Sequence, residues 1–226
     1  MKFTVAIIGP DGAGKTTIAH ELVAALPMRA TYLYMGVNFE SSNKLFVTSW
    51  LIHKIRGRRA PPSSELAGAG AEDRARRSRS NSKIRAALRL VNRVAEECYR
   101  AVLSLWYQAR GSIVLFDRHF FADFYLDIDG APSEWSRRLH GKFLSRIYPK
   151  PDLVIYLDAP PELLYARKKE GTIESLGQQC RNYEKLRNTN LRFISVDASR
   201  PLNSVVDDVA KVICHFDKHG TLPGRE

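Results

Sequence analysis

Short apolar runs punctuate the chain: FTVAIIG from Phe3, TYLYMG from Thr31, SIVLFD from Ser112, DLVIYLD from Asp152 and RFISVD from Arg192. They are rich in β-branched and aromatic side chains, and most are continuous rather than alternating. Strands covered on both faces have this signature, because crossover helices screen a parallel sheet from water on each side. Longer segments of helical character separate the runs. The order therefore predicts an α/β fold: an open, parallel five-stranded sheet between two helical layers.

The helices have readable edges. Lys15 to Leu26 sets Ile18, Leu22 and Leu26 on one stripe and stops at Pro27. From about Ser82 to Ala109, the residues Ile84, Leu88, Val91, Ala95, Cys98, Val102 and Leu105 recur at helical spacing before a stop at Gly111. That spacing predicts a long helix built on this stripe. Pro161 and Pro201 stand at the starts of two further helices, where a missing N–H costs little. Residues 56–79, RGRRAPPSSELAGAGAEDRARRSR, keep no apolar period. They predict a mobile, solvated loop inside an insertion at about 36–82 of a single domain spanning 1–226.

Composition narrows the class. At 226 residues and 44% apolar content the chain can bury one sizeable core, and two independent domains would be cramped. The formal net charge is +11, and Lys54 to Arg89 holds eleven Lys and Arg against three Asp and Glu. A globally basic surface would suggest nucleic acid, whereas one basic segment says only that one region meets phosphates, an acidic partner, an anionic membrane surface or solvent. Cys98, Cys180 and Cys214 are odd in number and have no CxxC spacing, so neither a disulfide framework nor a zinc site is expected, and the thiols should be buried or half-buried. No run approaches the roughly 20 apolar residues that span a bilayer, and a cytoplasmic protein is expected.

The chemistry begins at GPDGAGKTT, Gly9 to Thr17. Gly9, Gly14, Lys15 and Thr16 satisfy the Walker A spacing between an apolar strand and an amphipathic helix. The loop backbone from Gly9 through Asp11, Gly12, Ala13 and Gly14 can curl its N–H groups inward to cradle phosphates. Lys15 would bridge the β- and γ-phosphates of ATP, and the hydroxyl of Thr16, followed by Thr17, would meet Mg²⁺. Asp11 is out of character in an anion nest. Either it turns away to cap an N–H, or it meets a hydroxyl of the second substrate.

Four stretches in this order, GPDGAGKTT, VLFDRHFF, PDLVIYLDAPPELLYARKKEG and VDASRPLNSVVDDV, resemble the thymidylate-kinase-like branch of the P-loop kinases. The resemblance covers most of the chain outside the insertion. It implies a P-loop kinase-type three-layer fold, Mg·ATP as phosphate donor, and transfer of the γ-phosphate to a small acceptor, by analogy a nucleoside monophosphate such as dTMP. A homodimer is left open. Asp117 would help hold Mg²⁺ through water and orient the acceptor, while Arg118 would hold phosphate oxygens. ARKKEG would open a lid at about 167–181, with Arg167 the first choice for the transition-state cation and Lys168, Lys169 and Arg181 as further candidates. Some relatives carry an arginine in the loop itself; here that position is Gly12. VDASRP, around Ala198, would lie beside the adenine. His119 reads as a packing or hydrogen-bonding residue rather than a base.

The departures concentrate on the acceptor side. The Arg-Glu-Pro-Gly motif expected after the second strand is replaced by YLYMGVNFESSN, and DRHFFADFYLD offers Asp123, Tyr125 and Asp127 in place of a serine and an Ala-Tyr-Gln triplet. Of these, Asp123 and Asp127, with Asp11 and Asn38, suit hydroxyls. Two further readings therefore stand beside the nucleotide kinase: a kinase of a sugar or another phosphorylated metabolite, and a slow P-loop ATPase acting as switch or scaffold.

Overall fold

A computed structural model of the chain describes residues 2–35, 91, 94–119, 135–188 and 191–223. The expected insertion at about 36–82, the basic segment before 91, and Asn38, Asp123, Tyr125 and Asp127 lie outside the described residues.

All five expected strands are present: β1 (Thr4–Ile8), β2 (Ala30–Tyr34), β3 (Ile113–Asp117), β4 (Leu153–Asp158) and β5 (Phe193–Asp197). They form one sheet in the order β2-β3-β1-β4-β5, and every pairing is parallel. The register places Ile7 beside Asp117 and Tyr34 beside Asp117, so the ends of β1, β2 and β3 converge on one carboxylate. Each residue of β1 and β3 is buried, which is why these runs are continuously apolar.

One face of the sheet is covered by α1 (Lys15–Ala25) and, after α4 (Pro161–Lys168) and α5 (Ile173–Lys185), by α6 (Leu202–His219). Ile18 and Leu22 of α1 and Val205, Val209, Ile213 and Phe216 of α6 meet Val5, Ile7, Ile113 and Leu115 there. Full burial of such side chains contributes about 1.5–3 kcal/mol each. Leu26 is extended and follows the helix rather than ending it, still buried on the same face. Pro161 sits in the first turn of α4, and Pro201 caps α6 as expected.

The other face is covered by α2, helical over 94–109, and α3 (Trp135–Arg146). Here the expected stripe is overturned. Val91, Val102 and Leu105 are exposed, as is Cys98, which corrects the expectation of a buried or half-buried thiol. The buried residues of α2 are instead Glu97, Arg100, Ser104 and Gln108. They too recur at helical spacing, so periodicity alone could not choose between the two faces. Their polar groups are met from within: Glu97 takes His140 Nε2 of α3 at 2.7 and 2.9 Å, and Gln108 donates to the Ser104 hydroxyl at 3.2 Å. A buried polar group that is hydrogen-bonded escapes most of its desolvation cost.

Candidate active site

The loop between β1 and α1 is shaped by backbone geometry that a side chain would forbid. Gly12 has φ of 89°, and a Cβ there would lie 2.6 Å from the Leu164 carbonyl oxygen of α4. This accounts for the absence of a loop arginine: α4 lies directly against the loop and leaves no space for one. Gly14 caps α1 in the left-handed conformation, and Ala13, buried, donates its N–H to Pro10 O at 3.3 Å. This geometry opens α1 directly after the glycine-rich turn, the arrangement that an anion nest requires.

Lys15 is buried, and its ammonium donates to Gly9 O at 2.8 Å and Pro10 O at 2.7 Å. Burial lowers its pKa to about 8, opposed chiefly by the nearby Asp11 carboxylate. Thr16 donates its hydroxyl to Asp117 Oδ2 at 2.6 Å, and the Tyr32 phenol donates to the same oxygen at 3.0 Å. Burial and that carboxylate push the Tyr32 phenol well above its usual range, so it remains a donor. The other oxygen of Asp117, Oδ1, is buried without a hydrogen-bond partner among the described residues.

Arg118 occupies the left-handed region at φ 66°, with its N–H on Ile7 O at 3.2 Å. For a residue other than glycine this conformation costs about 1–3 kcal/mol and persists where the surroundings enforce it. Its guanidinium reaches Asp11 Oδ1 at 2.6 Å. Lys15 Nζ lies 3.8 Å and Lys168 Nζ 3.9 Å from the same oxygen. Asp11 thus pairs with Arg118 and caps no N–H among the described residues. One carboxylate oxygen collects cations from the loop, the end of β3 and the end of α4.

The lid candidates separate. Lys168 enters this cluster and also pairs with Glu170 at 2.8 Å, a hydrogen bond that raises its pKa. Arg167 donates to the Ala198 carbonyl at 3.0 Å, joining α4 to the turn after β5. Arg181 is exposed on α5 and donates to Gln178 Oε1 at 2.7 Å, and Thr17 is exposed in the first turn of α1. Between α4 and α5, Lys169 at φ 53° and Gly171 at φ 74° reverse the chain before the Thr172–Ser175 capping box opens α5. His119 is fully buried against Phe116 and Tyr148, and burial lowers its pKa to about 3. It is neutral at any ordinary pH, which agrees with a packing role. Tyr32, with His20 stacked on it at 4.2 Å, was not legible beforehand; the only trace is a tyrosine on the α1-facing side of ATYLY.

No ion is part of the structure, but the donors fit Mg²⁺. The Thr16 hydroxyl and the Asp117 carboxylate, whose buried Oδ1 has no hydrogen-bond partner among the described residues, form a hard, oxygen-only pair.

A parallel sheet with a glycine-rich loop feeding α1, and an acid and arginine closing the neighbouring strand, defines a P-loop kinase, an ATP-dependent phosphotransferase. The thymidylate kinase family model matches residues 46–209, and the chain belongs to that family. The "Probable thymidylate kinase" of Staphylothermus marinus is 30% identical over 224 residues, 93% of this chain and 94% of its own length. That of Archaeoglobus fulgidus is 28% identical over 218 residues, 94% and 95% of the two lengths. A solved structure of deoxyadenosine kinase from M. mycoides superposes with a TM-score of 0.53 at 16% identity, covering 94% of this chain and 99% of its own, which supports the fold. The family match begins beyond the phosphate loop, so the loop rests on its motif and geometry. Among the described residues no helix is long and apolar enough to cross a membrane.

Proposed function

We propose that this chain transfers the γ-phosphoryl group of Mg·ATP to the phosphate of a nucleoside monophosphate, with dTMP the first acceptor, in the cytoplasm. The observation that supports the reading most strongly is the convergence of Lys15, Arg118 and Lys168 within 4 Å of Asp11 Oδ1. In phosphoryl transfer, negative charge is spread over three equatorial oxygens between the attacking and leaving oxygens. Cations arriving from three separate elements suit that charge better than they suit one carboxylate.

The acceptor's phosphate oxygen is already ionised at neutral pH and attacks without giving up a proton. No general base is required, which fits a His119 held neutral in the core. Lys15 would follow the β- and γ-phosphates, Arg118 the acceptor phosphate and the transferring group, and Lys168 the transferring group from the lid side. Asp11, displaced from these cations by phosphate, would accept a hydrogen bond from a sugar hydroxyl. Thr16 and Asp117 would hold Mg²⁺, which when bound would supply charge neutralisation to the transferring phosphate. Arg167 would act from a distance by fixing the Ala198 turn beside the adenine. The proposed domain is one unit with its lid at about 167–181.

The second reading, a non-nucleotide acceptor, is favoured by YLYMGVNFESSN, which stands after the second strand where the family resemblance leads to the expectation of Arg-Glu-Pro-Gly. The test is an ATP-consumption screen over nucleoside monophosphates, sugars and sugar phosphates, with products identified by mass. dTDP as the dominant product is the expected result. Turnover confined to sugars or sugar phosphates would remove the nucleotide reading, and ATP hydrolysis indifferent to every acceptor would leave only the ATPase switch.

A further inference from the structure

We propose that Tyr32 is a positioning residue for the cation site: its phenol joins the Thr16 hydroxyl on Oδ2 of Asp117 and so reserves Oδ1 for the hydration shell of the magnesium ion. The inference rests on the reading of Thr16 and Asp117 as the magnesium end of a nucleotide kinase.

An ionised carboxylate has about four acceptor positions, two on each oxygen. At Asp117 the division is one-sided. Oδ2 receives both hydroxyls, at 2.6 Å from Thr16 and 3.0 Å from Tyr32, whereas Oδ1 is buried and receives none among the described residues. Leaving a buried carboxylate oxygen unmet is costly, and the cost is recovered when a cation or its water approaches. Two donors also resist rotation of the carboxylate better than one. With Thr16 alone, the carboxylate could turn about its single bond and offer either oxygen.

The sheet supplies the precision. Tyr32 lies opposite Leu115 in the parallel register of β2 and β3, two residues below the Tyr34–Asp117 pair and on the same face as Asp117. His20, one turn beyond Thr16 on α1, stacks on the Tyr32 ring at 4.2 Å with 26° between planes. The ring is thereby held between a strand and a helix that both belong to the core, and its hydroxyl needs little further ordering to reach Asp117. Partners of this kind behind a metal-binding group typically change metal affinity by about 10–100-fold when removed.

Tyr32→Phe removes the hydroxyl and keeps the ring. Two affinities are measured on the full-length protein: ADP alone in excess EDTA by calorimetry, and Mn²⁺ on the ADP complex by electron paramagnetic resonance. The expected result is an ADP affinity within about twofold of the unaltered protein together with Mn²⁺ binding weakened about tenfold. Unchanged Mn²⁺ binding in a folded Tyr32→Phe protein overturns the proposal, as does an equal loss of both affinities, which a merely structural role would produce. If Tyr32→Phe does not fold, His20→Ala decides, because it frees the ring and leaves the hydroxyl: Mn²⁺ binding should weaken by about two- to threefold with ADP affinity unchanged, and no weakening overturns the proposal. An unaltered protein that binds neither ADP nor Mn²⁺ would remove the kinase reading itself, and this inference with it.

Discussion

The two faces of the sheet are held by different physics. Under α1 and α6 lies an apolar cluster, from Ile18 and Leu22 to Val209 and Phe216, with polar contacts gathered at the Asp117 edge. Under α2 and α3 the layer contains Glu97, Arg100, Ser104, Gln108 and His140, interleaved with Phe116, Leu144 and Tyr148. The first face carries the loop between β1 and α1 and holds two buried ionisable groups at its edge: Lys15, received by two backbone carbonyls, and Asp117, met by the hydroxyls of Thr16 and Tyr32. On the second face, polar side chains satisfy one another between two helices. The contrast shows that burial in this fold follows satisfaction of polar groups as much as hydrophobicity.

Removing the charge from the first face should have the largest effect. Lys15→Ala is expected to lower ATP turnover by at least about 10²–10³-fold, measured under saturating acceptor, because a preorganised cation at developing phosphoryl charge has that order of effect. The lid sharpens the same point: Lys168→Ala should lower kcat by about 10²-fold, whereas Arg167→Ala should act mainly on the KM for ATP. A reversed pattern would return the transition-state role to Arg167.

Next comes the second face. His140→Ala strips the imidazole from a fully buried Glu97 and is expected to cost about 3 kcal/mol in urea unfolding, with little effect on KM for ATP. A cost near zero would mean that the polar layer is incidental.

pH separates the faces more gently. Lys15 has its pKa lowered to about 8, and bound phosphates would favour its charged form and raise it again. ATP affinity should therefore be fully present below pH 8 and decline by up to about tenfold per unit above it, with proton uptake on binding visible by calorimetry in buffers of different ionisation enthalpy. The effect on folding runs the other way. The folded form loses this proton before the unfolded chain does, so stability gains from Lys15 as pH rises from about 8 toward 10.5.

The smallest expected effect is the most direct check on α2. Val102→Lys should change stability by less than about 0.5 kcal/mol, because Val102 is 64% exposed. A loss of several kcal/mol would restore the apolar stripe as the buried face.

Amino-acid order alone determined the five strands, their parallel arrangement, the helix starts at Pro161 and Pro201, and the glycine-rich turn between β1 and α1. Each of these follows from local rules: which side chains fit a strand covered on both faces, which residues lack an N–H, and which backbone can curl around an anion. The placement of Lys15 and Thr16 at a helix start and of Asp117 and Arg118 at a strand end was legible for the same reason, since short-range pattern identifies both. Only the tertiary structure decided which face of α2 turns inward, which lid cation reaches Asp11, and that Tyr32 reaches Asp117. α2 carries two stripes of equal period, and the choice fell to a partner 43 residues away, His140 on α3. Arg167 and Lys168 are neighbours in sequence, but adjacent residues on a helix point about 100° apart, so only one of them meets the loop while the other meets Ala198. Tyr32 and Asp117 are separated by 85 residues and brought together by the pairing of β2 with β3. Contacts between distant segments leave no periodic trace in either one.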